Sequence, residues 1–307
     1  MGYRRIGIII ILQFLLIIGA WDSFSQQNLA EKLGYPRNSK MLIIHADDLG
    51  VSHSENMASF EAIENGFVNS ASVMMPTPWV LEAVEYAKKN PSTHDFGLHL
   101  VLTSEWKNYR WGPVSSINEV PSLINKHGYF HNACSPSVKP EDVEQELRAQ
   151  IDRAYAMGLN PTHLDSHMGC VFFISTEVLE VYLSMGQQYN LPVLVGSRIP
   201  KALIIKYDVK VIVDEILGMS EDEYNNGPSA YYVNALKSLK PGLSTILIHP
   251  AYNNEEMKGM TVDHPDWGSE WRQKDFDFFM SDTCKKLLEE EKIVLVTWRE
   301  IKEALYD

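Results

Sequence analysis

Short apolar runs alternate with helix-length segments from Lys40 to the end of the chain, and this alternation constrains the fold more than any other feature. The runs at 41–46, 70–75, 96–102, 162–166, 192–195, 244–249 and 293–297 read as buried strands, short and closed by turn signals. Between and after them the pattern predicts helices over 54–65, 79–90, 140–157, 176–190, 229–239, 271–290 and 298–305. The clearest opens at Pro140, with Glu141 and Asp142 in its first turn, where the helix dipole favours acids. Seven strand-then-helix units without a glycine-rich dinucleotide fingerprint predict an α/β fold, a parallel barrel more than an open doubly wound sheet. The long connection 103–139 interrupts the regular spacing. It carries Trp106, Tyr109, Trp111, Tyr129 and Phe130, too aromatic for a disordered linker.

The 307 residues are 45% hydrophobic, enough for a large core. A net charge of -13 with no basic patch argues against a nucleic-acid partner. At the N-terminus, Arg4 and Arg5 precede an apolar run over 6–20, and Ser23 and Ser25 follow two apart. This is the pattern of a secretory signal peptide cleaved after Ser25, which leaves no membrane segment in the mature chain and places it in the periplasm or outside the cell. The expected layout is a signal peptide over 1–25, a linker over 26–39 and the barrel domain over 40–307. Cys134, Cys170 and Cys284 are too few for a disulfide framework; one bridge is possible in an exported protein, but the spacing does not choose a pair.

Several strands end in groups that do chemistry. The run Ile43-Ile44-His45-Ala46 closes in Asp47-Asp48-Leu49-Gly50. Neighbouring strand residues point to opposite faces, so the two carboxylates share a site only if the chain turns there, which Gly50 permits. His99 lies near the end of Phe96-Gly97-Leu98-His99-Leu100. His163, Asp165 and His167 occupy alternate positions of Thr162-His163-Leu164-Asp165-Ser166-His167, and His249 closes Ile246-Leu247-Ile248-His249-Pro250. In a parallel barrel these carboxyl ends converge on the face where active sites are built. One carboxylate with two imidazoles leaves open positions on a divalent metal; a further carboxylate can take a proton from water and a further histidine can return one. That is equipment for metal-assisted hydrolysis of an amide or ester. No G-x-S-x-G elbow and no P-loop occurs.

Four segments carry a resemblance: Ala46-Asp47-Asp48-Leu49-Gly50, Gly97-Leu98-His99-Leu100, Pro161-Thr162-His163-Leu164-Asp165-Ser166-His167 and His249-Pro250-Ala251. In order and approximate spacing the chain resembles the YdjC-like carbohydrate deacetylases, which include chitooligosaccharide deacetylases. The resemblance implies a TIM-like (β/α)7-8 barrel in a single domain and removal of N-acetyl groups from amino sugars or oligosaccharides by metal-activated water. It also implies Asp48, His99 and His167 as metal ligands, Asp47 as general base and His249 as proton donor. The ion implied is Mg²⁺, while the donor types also admit Zn²⁺, Co²⁺ or Ni²⁺. The chain departs from the chitooligosaccharide enzymes after His167, where Met168-Gly169-Cys170-Val171 replaces further histidines. A metal-dependent esterase or amidase on another acylated glycan, or a glycan-binding protein without catalysis, are the alternatives.

Around this set, His45 shares a strand face with Asp47 and can support it. Asp165 can accept a proton from a ligating imidazole and fix its tautomer. Ser52 or Ser54 is expected to cap the helix that follows the two aspartates. His94, His127, His131 and His264 lack strand-end placement and read as surface residues. The 103–139 loop is expected to cover the barrel mouth, with Trp106 or Trp111 offering a flat face to a sugar ring.

Overall fold

The computed structural model describes residues 28–89, 91–92 and 94–306; the expected signal peptide lies outside the described residues. Seven strands form the sheet: β1 (Lys40–Leu49), β2 (Ser70–Val73), β3 (Phe96–Leu100), β4 (Leu164–Ser166), β5 (Glu215–Gly218), β6 (Gly242–Ile248) and β7 (Ile293–Leu295). Every ladder is parallel, and the order is β4-β3-β2-β1-β6-β5. On its other edge β1 pairs first with β7, through Lys40–Leu42, and then with β2 from His45 onward. Parallel strands joined by helical crossovers are covered on both faces, and β1 is buried along its length apart from Lys40. Alternation divides its residues between two cores: Leu42, Ile44 and Ala46 pack into the larger cluster, Met41 and Ile43 into the smaller one with Leu243, Val296 and Trp298.

The fold is therefore α/β with a curled parallel sheet. Single bridges, Leu164↔Val193 and Gly196↔Val213, carry the pairing from β4 toward β5 where a strand was expected at 192–195. Leu164 makes the two bonds of a parallel bridge, to Pro192 O and from Leu194 N, and Pro192 brings no amide to extend that ladder. Strand β5 is missing from the sequence reading because it is largely exposed and begins on Glu215, without the apolar run that marks the others.

Six of the seven expected helices are present within a residue or two of their expected bounds, among them Pro140–Ala156 and Trp298–Leu305. The expected helix over 271–290 is two, Ser269–Phe279 and Asp282–Glu290. Ser281 interrupts the run and caps the second by accepting from the Cys284 amide. Ser52 caps His53–Asn65 by accepting from the Glu55 amide. Residues assigned to a linker instead include the helix Leu29–Lys32, opened by an Asn28–Glu31 capping box, with Ala30 buried against the smaller core. His94 is not a surface residue: it is buried and stacks on Tyr86.

Candidate active site

Asp47 is the last residue of β1 to follow the alternation that places His45 on its face. The next residue breaks it. Asp48 has φ of +66°, the β1–β2 register shifts between Ala46 and Leu49, and Gly50 follows at φ +94°. A left-handed residue at a strand end swings its own side chain out of the alternation, and here the second carboxylate comes round to the side of the first. The turn falls on Asp48 itself. Gly50 completes it where a Cβ would stand 3.1 Å from Val80 Cα.

His99 and His167 leave the ends of β3 and β4 and face that carboxylate. Asp48 Oδ1 is buried, 3.1 Å from His167 Nδ1 and 3.3 Å from His99 Nε2, yet accepts a hydrogen bond from neither. The two ring nitrogens are 3.2 Å apart. A buried anionic oxygen facing two nitrogens with no donor aimed at it is unfavourable unless a cation or a proton lies among them. Donors sharing an ion at ~2.1 Å stand roughly 3 Å apart, and all three pairs have that separation. These residues fit a divalent cation. Asp165, by contrast, is satisfied: it accepts from His99 Nδ1 at 2.7 Å and from His45 Nε2 at 2.8 Å. It thereby leaves His99 Nε2 free to face Asp48, as expected of it.

The charges follow from these contacts. Burial alone would raise Asp48, but Arg272 and the facing imidazoles outweigh it and hold the carboxyl well below the usual range. Burial would lower the two histidines that face Asp48. Glu105 and Asp48 instead carry His167 up to about 9, and Asp165 with Asp47 holds His99 well above its ordinary value. Asp47 lies beside the set, with Oδ1 3.2 Å from His45 Nε2 and Oδ2 3.8 Å from His249 Nε2. Burial pushes His249 down to about 4, so at neutral pH its imidazole is uncharged. All of the sequence-predicted ligands and acid–base groups thus meet at one end of the sheet.

Residues 41–290 match the YdjC-like protein family. The chain belongs to that family. It is 31% identical over 295 residues to a carbohydrate deacetylase of Thermus thermophilus, covering 91% of this chain and 100% of the relative. A carbohydrate deacetylase of Thermoanaerobacter pseudethanolicus is 30% identical over 228 residues, covering 73% and 86% respectively. Among solved structures, a candidate cellobiose-phosphate cleavage protein of Enterococcus faecalis superposes with a TM-score of 0.73 at 26% identity, over 86% of this chain and 99% of that one.

This YdjC-like chain also uses residues that its sequence did not single out. Arg272, from the helix Ser269–Phe279, is buried and bridges Asp48 Oδ2 and Glu55 Oε2, each at 2.8 Å. It occupies one oxygen of Asp48 and leaves the other for the histidines. Glu105 accepts from His167 Nε2 at 3.1 Å. Asp275 accepts the His249 amide at 2.9 Å and the Tyr232 hydroxyl at 2.7 Å. None of these residues ends a strand, so period and turn signals do not mark them. His163 does not join the ligands: its ring lies over Gly97, where a Cβ would meet it at 2.4 Å, and stacks on Trp298. Trp106 and Trp111 require a correction. They are 1% and 3% exposed, Trp111 donating to Thr103 O and Trp106 lying against the Arg272 guanidinium, so neither offers a face to a sugar. An aromatic-rich loop of this length buries its own rings to hold its shape. The loop also reaches across the site, with Tyr109 donating to Val51 O and Lys107 paired with Asp263. Cys134 of the loop is bridged to Cys170, three residues beyond His167.

Proposed function

We propose that the chain is a divalent-cation-dependent hydrolase that removes N-acetyl groups from amino sugars or their oligosaccharides. The observation that carries this reading is the convergence of Asp48 Oδ1, His99 Nε2 and His167 Nδ1 with Asp47 and His249 at their side. The carbohydrate deacetylases of Thermus and Thermoanaerobacter support the substrate class. Asp48, His99 and His167 hold the ion, Mg²⁺ by family resemblance. When bound, the ion supplies a Lewis acid that polarises the acetyl carbonyl and acidifies water. Asp47 takes the proton from the attacking water. His249 starts uncharged, takes the proton from Asp47 Oδ2 once the two side chains, 3.8 Å apart here, close to hydrogen-bond distance around the substrate, and delivers it to the amine as the tetrahedral intermediate collapses. An amine leaves poorly until protonated, so this reaction needs both groups where an activated ester needs only the base.

Asp47→Asn and His249→Ala should each lower kcat by ~10²–10⁴ with cation content unchanged. His249→Ala should also harm an N-acetyl substrate far more than an activated aryl acetate. Loss of the ion together with activity in His249→Ala would make His249 a ligand and end this division of roles.

A deacylase for a different acylated glycan is the second reading. Met168, Phe172 and Phe173 are exposed just after His167, where the chitooligosaccharide enzymes carry histidines. Acetate released from an O-acetyl sugar in preference to its N-acetyl counterpart would favour it.

We also propose that the protein is exported after cleavage at Ser25. The Cys134–Cys170 bridge supports an oxidising destination. Mass spectrometry of the mature chain should then find Gln26 at its N-terminus, and an intact Met1 would contradict export by this route.

A further inference from the structure

The two ligating imidazoles are held from behind in different ways. His99 is tied through Nδ1 to Asp165, and the two residues face one another across the β3–β4 ladder. That support is part of the sheet. His167 is tied through Nε2 to Glu105, a residue of the 103–139 loop. That support exists only while the loop is docked.

The loop is built to deliver this carboxylate. Thr103 bridges His131, the Ser104 amide donates to His131 O at 2.8 Å, and Ser104 Oγ accepts from the Trp111 amide at 3.0 Å. The backbone on the N-terminal side of Glu105 is therefore fixed. On its C-terminal side Trp106 is buried with its ring 5.3 Å from the Arg272 guanidinium, and Arg272 in turn holds Asp48 Oδ2. Two consecutive loop residues thus reach two of the three ligands, one directly and one through a single intermediary. The disulfide from Cys134 to Cys170 joins the far end of the same loop to the turn that follows His167. A neutral imidazole binds a cation through one nitrogen only when its proton sits on the other. A carboxylate at Nε2 fixes that tautomer and the ring's orientation.

We propose that Glu105 is a positioning residue that couples docking of the 103–139 loop to cation binding, by holding His167 with Nδ1 turned toward Asp48 Oδ1 and His99 Nε2. The proposal rests on the reading of these three residues as a cation site and adds to it a device that the sheet alone does not provide. Because coupling is reciprocal, a cation bound by His167 also stabilises the docked loop.

The test uses the full purified chain stripped with EDTA and titrated with Co²⁺ by calorimetry and visible absorption. Glu105→Ala should weaken Co²⁺ binding by ~10–100-fold, the usual effect of losing such a partner. Glu105→Gln, which keeps an acceptor but not the charge, should fall between it and the unmodified protein, and both should alter the Co²⁺ absorption band. Co²⁺ should also slow tryptic cleavage within residues 107–110 in the unmodified chain and do so much less in Glu105→Ala. Equal Co²⁺ affinity in the unmodified protein and Glu105→Ala would overturn the proposal while leaving the cation site standing. Failure of the unmodified protein to take up Co²⁺ would instead overturn the site itself, and the coupling with it.

Discussion

The His99 and His167 rings each spend one nitrogen on a carboxylate and turn the other toward Asp48, an arrangement in which protons would compete with a cation for the same positions. Glu105 and Asp48 outweigh burial to hold His167 up at about 9, against 6.5 for the free side chain, and His99 is raised in the same direction. A histidine whose folded pKa exceeds its unfolded value contributes stability that is complete below pH 6.5 and lost as pH rises through the folded value. The cation-free protein should therefore lose thermal stability between pH 6.5 and about 9. Cation uptake displaces those protons and becomes tighter over the same window, so the loaded protein should decline less. Calorimetric Tm measured from pH 6 to 9.5, with and without Mg²⁺, checks both. A flat Tm in the stripped protein would contradict the proton-holding role of the two rings. At this scale Asp47, Asp48, His99, His167 and His249 were legible because each lies at or near the carboxyl end of a strand candidate. Arg272 and Asp275 were not, since a charged residue in an amphipathic helix looks alike whether it faces water or a buried carboxylate.

The elements were legible where periodicity and punctuation agree. β1, β3 and β6 each carry a buried apolar stretch, and Pro140–Ala156 has a proline at its first turn with acids beside it. The reading fails where local signals are weak or cut across one another. β5 is short and exposed, Pro192 reduces a strand to single bridges, and Ser281 divides a helix whose apolar pattern runs straight through it. The turn at Asp48 was anticipated as a need, because two adjacent carboxylates had to share a side. Its location was not, because a non-glycine residue at positive φ has no sequence signature beyond the tolerance of Asp and Asn for it. The 103–139 loop was recognised as ordered from its aromatics. Whether those rings face outward or inward is decided by tertiary contacts with Thr103 and Arg272, and the rings are spent on the loop's own rigidity.

Across the whole molecule, one end of a curled parallel sheet gathers groups from residues 47 to 275, and loops from both halves of the chain close over it. The family match over 41–290 takes in Asp47, Asp48, His99, His167 and His249. Met168, Phe172 and Phe173 are exposed in the residues that follow His167. The central claim, a cation at Asp48, His99 and His167 driving deacetylation, is tested most directly by acetate release from an N-acetylglucosamine oligosaccharide. The protein should be assayed as purified, after EDTA, after return of Mg²⁺ or Co²⁺, and as His167→Ala with the same ions supplied. The account predicts release by the purified protein, loss after EDTA, recovery with the returned ion and none from His167→Ala. Undiminished release by fully stripped protein, or by His167→Ala, would contradict it.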